Sequence, residues 1–286
     1  MPINLNKAAG HVEGKAGQFG PYQLHELIAR GGMAEIWLAT NAEGQSFALR
    51  IMTRNSLLAF AARKQFTRGC EILRQIHDHS HVIGYVEHGK IDGTLYLLME
   101  YVEASNLRQL IGRRDPILGE LIGNILIDMA VAIEHVHTSG FIHLDFKPEN
   151  ILITRNGDLR LVDFDLAEPK GDKPRKMTKH SGTPAYMSPE QLRNDPLDHR
   201  ADIFSCGATA YELLTFRPAF DGNTPQEVLR KQLDAEHPIT PPREHNPDVP
   251  IAVEKIILKC LERDPDKRYP FTSVLVRDLQ AALYVK

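Results

Sequence analysis

The stretch His143–Ile153, HLDFKPENILI, decides the fold. It places an acid, a cation and an amide (Asp145, Lys147 and Asn150) on one short loop, directly before a hydrophobic strand that would hold them rigidly. Such side chains can accept a hydroxyl proton, neutralise a phosphate and ligate Mg²⁺. The alternative is a turn that is merely rich in polar residues, and the neighbouring segments decide between the two.

Three further sequence blocks follow this loop. In LVDFDLAE, Asp163 ends a strand and can offer a hard oxygen ligand to the same metal. After it come GTPAYMSPE (Gly182 to Glu190) and DHRADIFSCGATAYELL (Asp198 to Leu214). In this order and at these gaps, the four blocks resemble the eukaryotic-like (Hanks-type) serine/threonine protein kinases of bacteria. The resemblance runs from about Tyr22 to Leu283.

The resemblance implies an α+β, two-lobed protein kinase fold, and the hydrophobic patterns along the chain agree with it. Residues 1–20 are predicted to be a flexible N-terminal segment. Five strand-like runs and one helix, at about Leu57 to His77, indicate a small β lobe over residues 21–102. Helical periodicity predicts a larger, mainly α-helical lobe over residues 103–286, with one long helix between Leu118 and Val136.

Several residues of the larger lobe acquire roles from the resemblance. Asp145 matches the catalytic aspartate that accepts the substrate hydroxyl proton, and Lys147 matches the lysine of serine/threonine specificity. Asn150 and Asp163 match the metal ligands. Three further matches are structural: Asp202 to the aspartate that ties down the catalytic loop, Thr183 to a threonine that contacts this loop, and Glu190 to a glutamate whose buried partner would be Arg268.

The nucleotide-binding residues that the resemblance implies lie mostly in the smaller lobe. The family's glycine-rich loop falls on ARGGMAEI, where Ala29 and Ala34 replace two glycines and suggest a stiffer lid over the phosphates. The positions expected to contact ATP are Ile28, Gly31, Ile36, Ala48, Arg50, Met99, Glu100, Val102 and Leu152.

Arg50 departs most clearly from the family pattern. In SFALRIM (Ser46 to Met52), strand alternation puts Ala48 and Arg50 on one face, and Arg50 stands where the family has the lysine that holds the α- and β-phosphates. Arginine is longer, planar and forked, so it does not simply replace a compact ammonium. The helix glutamate that braces this lysine falls on Gly69 when the apolar positions set the helix phase. Shifts of one or two residues would give Cys70 or Glu71.

Three other features bear on regulation and the metal site. Leu144 replaces the arginine that receives the activation-loop phosphate in many kinases, so a phosphate on Thr178 or Ser181 has lost one main receptor. Asp165 replaces the glycine of the DFG motif and either assists metal binding or faces solvent. The basic segment Lys170 to His180 is either a solvated loop or a docking surface for an acidic or phosphorylated partner.

Bulk properties exclude some classes. The chain has 286 residues and a formal net charge of −3, which gives no reason to expect nucleic-acid or membrane binding. Its three widely separated cysteines indicate reduced thiols and a cytoplasmic location. No window approaches the ~18 consecutive apolar residues of a membrane span. The oligomeric state cannot be read from the sequence.

Two functions stay open. Arg50, Gly69 and the two alanines favour a domain that binds ATP and Mg²⁺ (or Mn²⁺), transfers phosphate weakly or not at all, and signals through a protein partner. Retention of Asp145, Asn150 and Asp163 instead favours an active ATP-dependent kinase that phosphorylates serine or threonine of a protein substrate. The first is preferred, because phosphoryl transfer depends chiefly on positioning and charge stabilisation. A small-molecule phosphotransferase fits less well, since GTPAYMSPE looks like a platform for a peptide.

Overall fold

A computed structural model describes residues 15–53, 59–176 and 183–284, apart from the side chains of Ala59 and Pro225. The chain divides into two compact units. The N-terminal unit comprises the residues up to His77 together with 83–102, and the C-terminal unit comprises 78–82 and 103–286. The sequence predicts 78–82 as part of the smaller lobe, but their contacts group them with the C-terminal unit.

The N-terminal unit is built on a six-stranded sheet in the order β1-β2-β3-β4-β6-β5, and every neighbouring pair is antiparallel. Its strands are β1 (Gly17–Phe19), β2 (Tyr22–Arg30), β3 (Ala34–Thr40), β4 (Ser46–Met52), β5 (Tyr85–Ile91) and β6 (Thr94–Glu100). Helix α1 (Ala59–Ile76) lies between β4 and β5 in the chain. β1 corrects one prediction: it falls in the segment expected to be flexible, so within the described residues regular structure begins at Gly17 and the sheet gains a sixth strand.

The two faces of this sheet differ in character. Leu49 and Ile51 of β4 are buried with Trp37 of β3 in an apolar core on one face. Ala48 and Arg50 alternate with them and therefore lie on the other face. The predicted alternation of SFALRIM is thus confirmed.

The C-terminal unit is mainly helical. Its helices are α2 (Leu107–Arg113), α3 (Pro116–Thr138), α4 (Pro189–Arg193), α5 (Arg200–Thr215), α6 (Pro225–Leu233), α7 (Pro242–His245), α8 (Ile251–Cys260) and α9 (Thr272–Tyr284). Its short strands are β7 (Ala104–Asn106), β8 (Phe141–Ile142), β9 (Ile151–Thr154), β10 (Leu159–Leu161) and β11 (Glu168–Pro169). They form a sheet of order β10-β9-β7 and a separate β8–β11 pair. The predicted α+β class, with one β-rich and one helical part, is confirmed.

Helix α5 forms the centre of the C-terminal unit. Every residue from Ala201 to Thr215 is buried. At Gly207 an added Cβ would lie 2.6 Å from the Cβ of Cys260 on α8, so glycine permits the close approach of these two helices. α5 also packs against α3.

Helix α3 begins where Asp115 caps the backbone N–H of Ile117 and Pro116 occupies the first turn. By length and mean hydropathy alone, its 23 residues would suffice to cross a membrane, which makes it the one such helix in the described parts of the chain. In the structure ten of its residues are buried, and it packs against α5 and α9. Long apolar core helices of globular domains show the same pattern.

Candidate active site

The loop between β8 and β9 brings together the three residues predicted to be catalytic. The Oδ2 atom of Asp145 accepts hydrogen bonds from Lys147 Nζ at 2.7 Å and from Asn150 Nδ2 at 2.9 Å. Asn150 Nδ2 also donates to the backbone oxygen of Asp145 at 2.9 Å. A 3₁₀ turn, Pro148–Asn150, carries the asparagine back toward the aspartate over a short stretch of chain.

Asp145 lies in a largely buried position. Burial raises the pKa of its carboxyl above the usual range, and the ammonium of Lys147 partly opposes this shift. The nearby carboxylate of Asp163 raises the pKa further. A carboxylate with a raised pKa is a better proton acceptor, which suits the role of general base.

Asp202 on α5 holds the backbone of this loop. Its Oδ2 accepts from His143 N at 2.7 Å and its Oδ1 from Leu144 N at 2.8 Å. Burial by itself would raise the pKa of Asp202, but hydrogen bonds and charges from His137 and His143 outweigh it, so the pKa is lowered. Asp202 is therefore held as an anion that ties down the loop, as predicted.

Two residues that the sequence did not single out complete this anchor. His137 on α3 shares Oδ2 of Asp202 through its Nε2 at 2.9 Å, and its Nδ1 lies 2.7 Å from Thr272 Oγ1. Gln191 on α4 donates to the carbonyl of Leu144 at 3.1 Å. The only sequence signal was a histidine on the buried face of an otherwise apolar helix, a pattern that core histidines share.

Leu144 lies in the left-handed region of backbone conformation, at φ 63°. Its side chain is buried in an apolar cluster with Ile142, Leu166, Leu197 and Ala201. The cluster joins the loop to the segments before and after 177–182. Leu144 thus contributes apolar packing here, where the family pattern has an arginine.

The predicted metal ligands are linked through the backbone. Val162 N donates to the carbonyl of Asn150 at 2.9 Å, and the next residue is Asp163, which has φ 64°. Because Asn150 turns its amide nitrogen toward Asp145, its side-chain oxygen is directed elsewhere and suits a hard cation. Clusters of three or more His, Cys, Asp or Glu that could hold a metal do not occur among the described residues. An ion here would therefore need phosphate or water oxygens as well.

Asp165 is buried, with 5% of its surface exposed, so the interpretation in which it faces solvent is wrong. Its backbone N–H lies 3.3 Å from Oδ1 of Asp163, which places the two acids in one tight turn. The interpretation in which Asp165 assists the metal site stays open.

The segment that follows residue 182 carries the expected buried ion pair. Arg268 donates through Nη1 and Nη2 to the two oxygens of Glu190, at 2.6 and 2.8 Å, and both residues are buried. Thr183 differs from expectation: it is exposed, and its hydroxyl makes no hydrogen bond with another residue in the described part of the chain. The loop contact comes from Gln191 instead. Thr178, Ser181 and residues 177–180 of the basic segment lie outside the described residues.

In the N-terminal unit, Arg50 lies over an aromatic ring. Its guanidinium carbon is 5.2 Å from the ring centroid of Phe66, a buried residue of α1. Glu71 of the same helix points elsewhere, since its carboxylate accepts from Arg74 Nε at 2.9 Å and lies 3.3 Å from His88 Nε2 on β5. The glutamate that a two-residue shift would supply is therefore engaged away from Arg50, whereas Gly69 is buried.

The turn between β2 and β3 is short. Gly31 N donates to the carbonyl of Ala34 at 2.9 Å, which closes the turn. The backbone of Gly31 does not require positive φ, so the chain here does not depend on glycine for its conformation. Ala29 pairs in register with Ile36, beyond a bulge in β2. Two alanines are thus accommodated in an ordinary hairpin.

The remaining nucleotide positions divide between the two units. Cross-strand pairs place Ile36 beside Arg50 and Met99 beside Ala48, so these four share the sheet face opposite the apolar core. In contrast, the carboxylate of Glu100 accepts from Gly84 N at 2.9 Å. Ile28 is 47% exposed, Val102 follows β6, and Leu152 belongs to β9 of the C-terminal unit.

The comparisons with known proteins agree with these features. The family described as "Protein kinase domain" matches residues 22–279. The chain belongs to the protein kinase domain family. Two similar proteins are a "probable serine/threonine-protein kinase" of Streptomyces coelicolor, 32% identical over 92% of this chain and 40% of its own length, and serine/threonine-protein kinase PrkC of Bacillus subtilis, also 32% identical over 92% and 40%. This chain thus spans about two fifths of the length of these relatives.

The two units differ in how the predicted kinase residues are arranged. The C-terminal unit keeps the hydrogen-bonded set of Asp145, Lys147 and Asn150, anchored by Asp202. In the N-terminal unit, Arg50 stands where the resemblance implies a phosphate-binding lysine. The C-terminal unit therefore carries groups whose chemistry suits proton transfer and metal binding.

Proposed function

We propose that this kinase domain binds ATP with Mg²⁺ or Mn²⁺, transfers the phosphoryl group weakly or not at all, and acts in signalling by binding a protein partner. The relatives named as serine/threonine kinases support the general class. A cytoplasmic setting is part of this proposal, because the three cysteines are free, buried thiols that suit a reducing compartment.

The proposal rests mainly on Arg50. A kinase lysine holds the phosphates only while a helix glutamate braces it. Here the guanidinium lies over Phe66, and Glu71 is engaged with Arg74 and His88. A planar, forked cation stacked on a ring does not present the compact charge that the α- and β-phosphates need. The rate of transfer should fall, because positioning supplies most of the catalysis.

The remaining groups suit nucleotide and metal binding. Asn150 and Asp163 would hold the metal ion, which when bound neutralises charge on the phosphate oxygens. Ala48 and Met99 offer an apolar surface on the sheet face that also carries Arg50. Asp145 and Lys147 complete the polar set on the catalytic loop.

The second candidate is an active serine/threonine protein kinase with an atypical phosphate clamp. The arrangement of Asp145, Lys147 and Asn150 favours it, because a proton acceptor with a raised pKa would have little use in a domain that only binds. In this case Asp145 accepts the proton of the serine or threonine hydroxyl, and Arg50 still supplies a positive charge.

Labelled phosphate transfer separates the two candidates. The chain is incubated with γ-labelled ATP and Mg²⁺ or Mn²⁺, alone and with a generic basic protein, beside an Asp145→Asn variant. We expect little or no incorporation above that of the variant. Sustained incorporation over many turnovers per molecule that disappears in Asp145→Asn would reject the first proposal and establish the second.

A binding measurement tests the rest of the proposal. ATP with Mg²⁺ should raise the thermal unfolding midpoint, because a ligand that binds only the folded state stabilises it by mass action. Absence of any shift at millimolar ATP would show that the domain does not bind nucleotide, and would leave partner binding alone as its role.

A further inference from the structure

The segment 78–82 is anchored to the C-terminal unit by its backbone. The carbonyl of His81 accepts from Leu161 N at 2.8 Å, and Val82 forms a parallel bridge with Leu161. Within the segment, Val82 N donates to the carbonyl of His79 at 3.0 Å. The segment begins two residues after Ile76, the last residue of α1.

His79 holds the anchor through two contacts of its ring. The ring stacks on that of His135 of α3, with centroids 4.1 Å apart and an interplanar angle of 13°. Its Nδ1 accepts the backbone N–H of His81 at 3.2 Å. An accepting ring nitrogen carries no proton, so this contact requires His79 to be neutral, with its proton on Nε2.

Protonation would break this arrangement. A proton on Nδ1 would face the N–H of His81, so two donors would oppose each other. The hydrogen bond from His81 N to the His79 ring would then be lost. The charged ring would also be stacked on a second imidazole. Both effects oppose the anchored state, and neither depends on nucleotide binding.

The charged groups around His79 would do little to stabilise its protonated ring. α3 contributes His135 and Asp128, but Oδ1 of Asp128 lies 3.6 Å from Nε2 of His81 and interacts with that ring instead. Asp158, in the turn before β10, acts on Asp128, and Arg160 of β10 donates to the carbonyl of Ser80. Burial, followed by the charges of His135 and His81, lowers the pKa of His79.

We propose that residues 78–82 form an acid-labile anchor, in which protonation of His79 releases the segment from α3 and β10. The sign follows from the neutral ring that the anchor requires. His79 in the released segment titrates near its ordinary value of about 6.5, and the anchored form binds its proton only at lower pH. The anchor is therefore complete above this pH and weakens as the pH falls below it. Asp128 has the opposite effect on the pH dependence of the anchor, because burial raises the pKa of its carboxyl.

Amide hydrogen exchange of the whole chain, without nucleotide, tests the proposal. The reporters are the amides of Val82 and Leu161, whose hydrogen bonds close the turn and fix it to β10. Between about pH 7.5 and about pH 5.5, we expect their protection factors, corrected for intrinsic exchange, to fall by up to about tenfold per pH unit. Asp128→Asn should show an equal or steeper fall, because it removes the opposing titration.

The matched variant is His79→Asn. Asparagine can accept the same N–H two residues ahead through its side-chain oxygen, and it does not titrate in this range. It should keep the protection and lose the pH dependence. As a control, His25→Asn alters an exposed histidine of β2 and should leave the dependence intact. Protection that is independent of pH in the native chain, or an equal fall in His79→Asn, would overturn the proposal.

Discussion

Single residues with several hydrogen bonds determine the geometry of the catalytic loop. Leu144 occupies a left-handed conformation, which costs a non-glycine residue roughly 1–2 kcal/mol. Asp202 accepts a hydrogen bond from the N–H of Leu144, and Gln191 donates one to its carbonyl. These partners on two helices offset that cost. The loop conformation is thus imposed from outside the loop.

Asp202→Asn should destabilise the domain by about 3 kcal/mol, because it leaves an amide where a buried anion received three donors. Its lowered pKa also sets a pH dependence. The stabilisation is present above the ordinary pKa of an aspartate and is lost as the pH falls through the lower value of the folded state. Urea unfolding from pH 7 to pH 3 measures both effects, with exposed Asp172→Asn as control. A loss below about 1 kcal/mol would contradict this assignment.

Arg50→Lys alone should leave phosphate transfer near the level of the native chain, because Gly69 has no carboxylate to offer and Glu71 is engaged with Arg74 and His88. Arg50→Lys combined with Gly69→Glu should raise the rate by about tenfold or more, which corresponds to at least about 1.4 kcal/mol of transition-state stabilisation. Labelled ATP incorporation measures both variants. Full recovery in Arg50→Lys alone would show that Gly69 is not the partner position.

Among the elements, helices with a long apolar repeat were predictable, and so were the short strands β9 and β10, expected after Asn150 and before Asp163, but β1 and β7 were not. Residues Leu118 to Val136 predicted α3 because burial against α5 and α9 repeats with the helical period. β7 has three residues and exists through pairing with Ile151–Thr154, which a local pattern does not encode. β1 lies among glycines and depends on pairing with β2.

The contacts of the candidate site were likewise predictable only where they are local in the chain. Asp145, Lys147 and Asn150 meet within six residues of chain, so the motif itself predicted their contact. The orientation of Glu71 could not be predicted without the position of β5, because its carboxylate contacts His88 of that strand. His137 could not be assigned from its type alone, since its partner Asp202 is 65 residues away.

The contact between α5 and α8 gives a test at the scale of elements. Gly207→Ala should destabilise the domain by about 1–3 kcal/mol, because its Cβ would lie 2.6 Å from the Cβ of buried Cys260. Gly119→Ala in α3 is the matched control, since an added Cβ there meets nothing within 4 Å. Helix propensity predicts a gain of up to about 1 kcal/mol for it. Equal effects of the two variants in urea unfolding would exclude packing as the cause.

For the whole molecule, ligand binding and unfolding are linked. Under the proposed function, ATP at about 100 times its Kd should stabilise the folded chain by about 2.7 kcal/mol. Asp163→Asn should remove the part of this stabilisation that depends on Mg²⁺ and leave the part due to ATP alone. Thermal unfolding with and without a chelator measures the two parts, and Asp172→Asn serves as control. An unchanged Mg²⁺ dependence in Asp163→Asn would exclude this carboxylate as a ligand.

The anchoring of the catalytic loop by α5 also has a consequence during protein synthesis. Leu144 is made 58 residues before Asp202, the residue that holds its backbone in place. At a synthesis rate of about 10 residues per second, roughly 6 s pass between the synthesis of Leu144 and that of Asp202. A nascent chain that stops just before Asp202 carries Asp145, Asn150 and Asp163 but lacks the residue that holds the backbone of their loop, so such a truncated chain should not transfer phosphate.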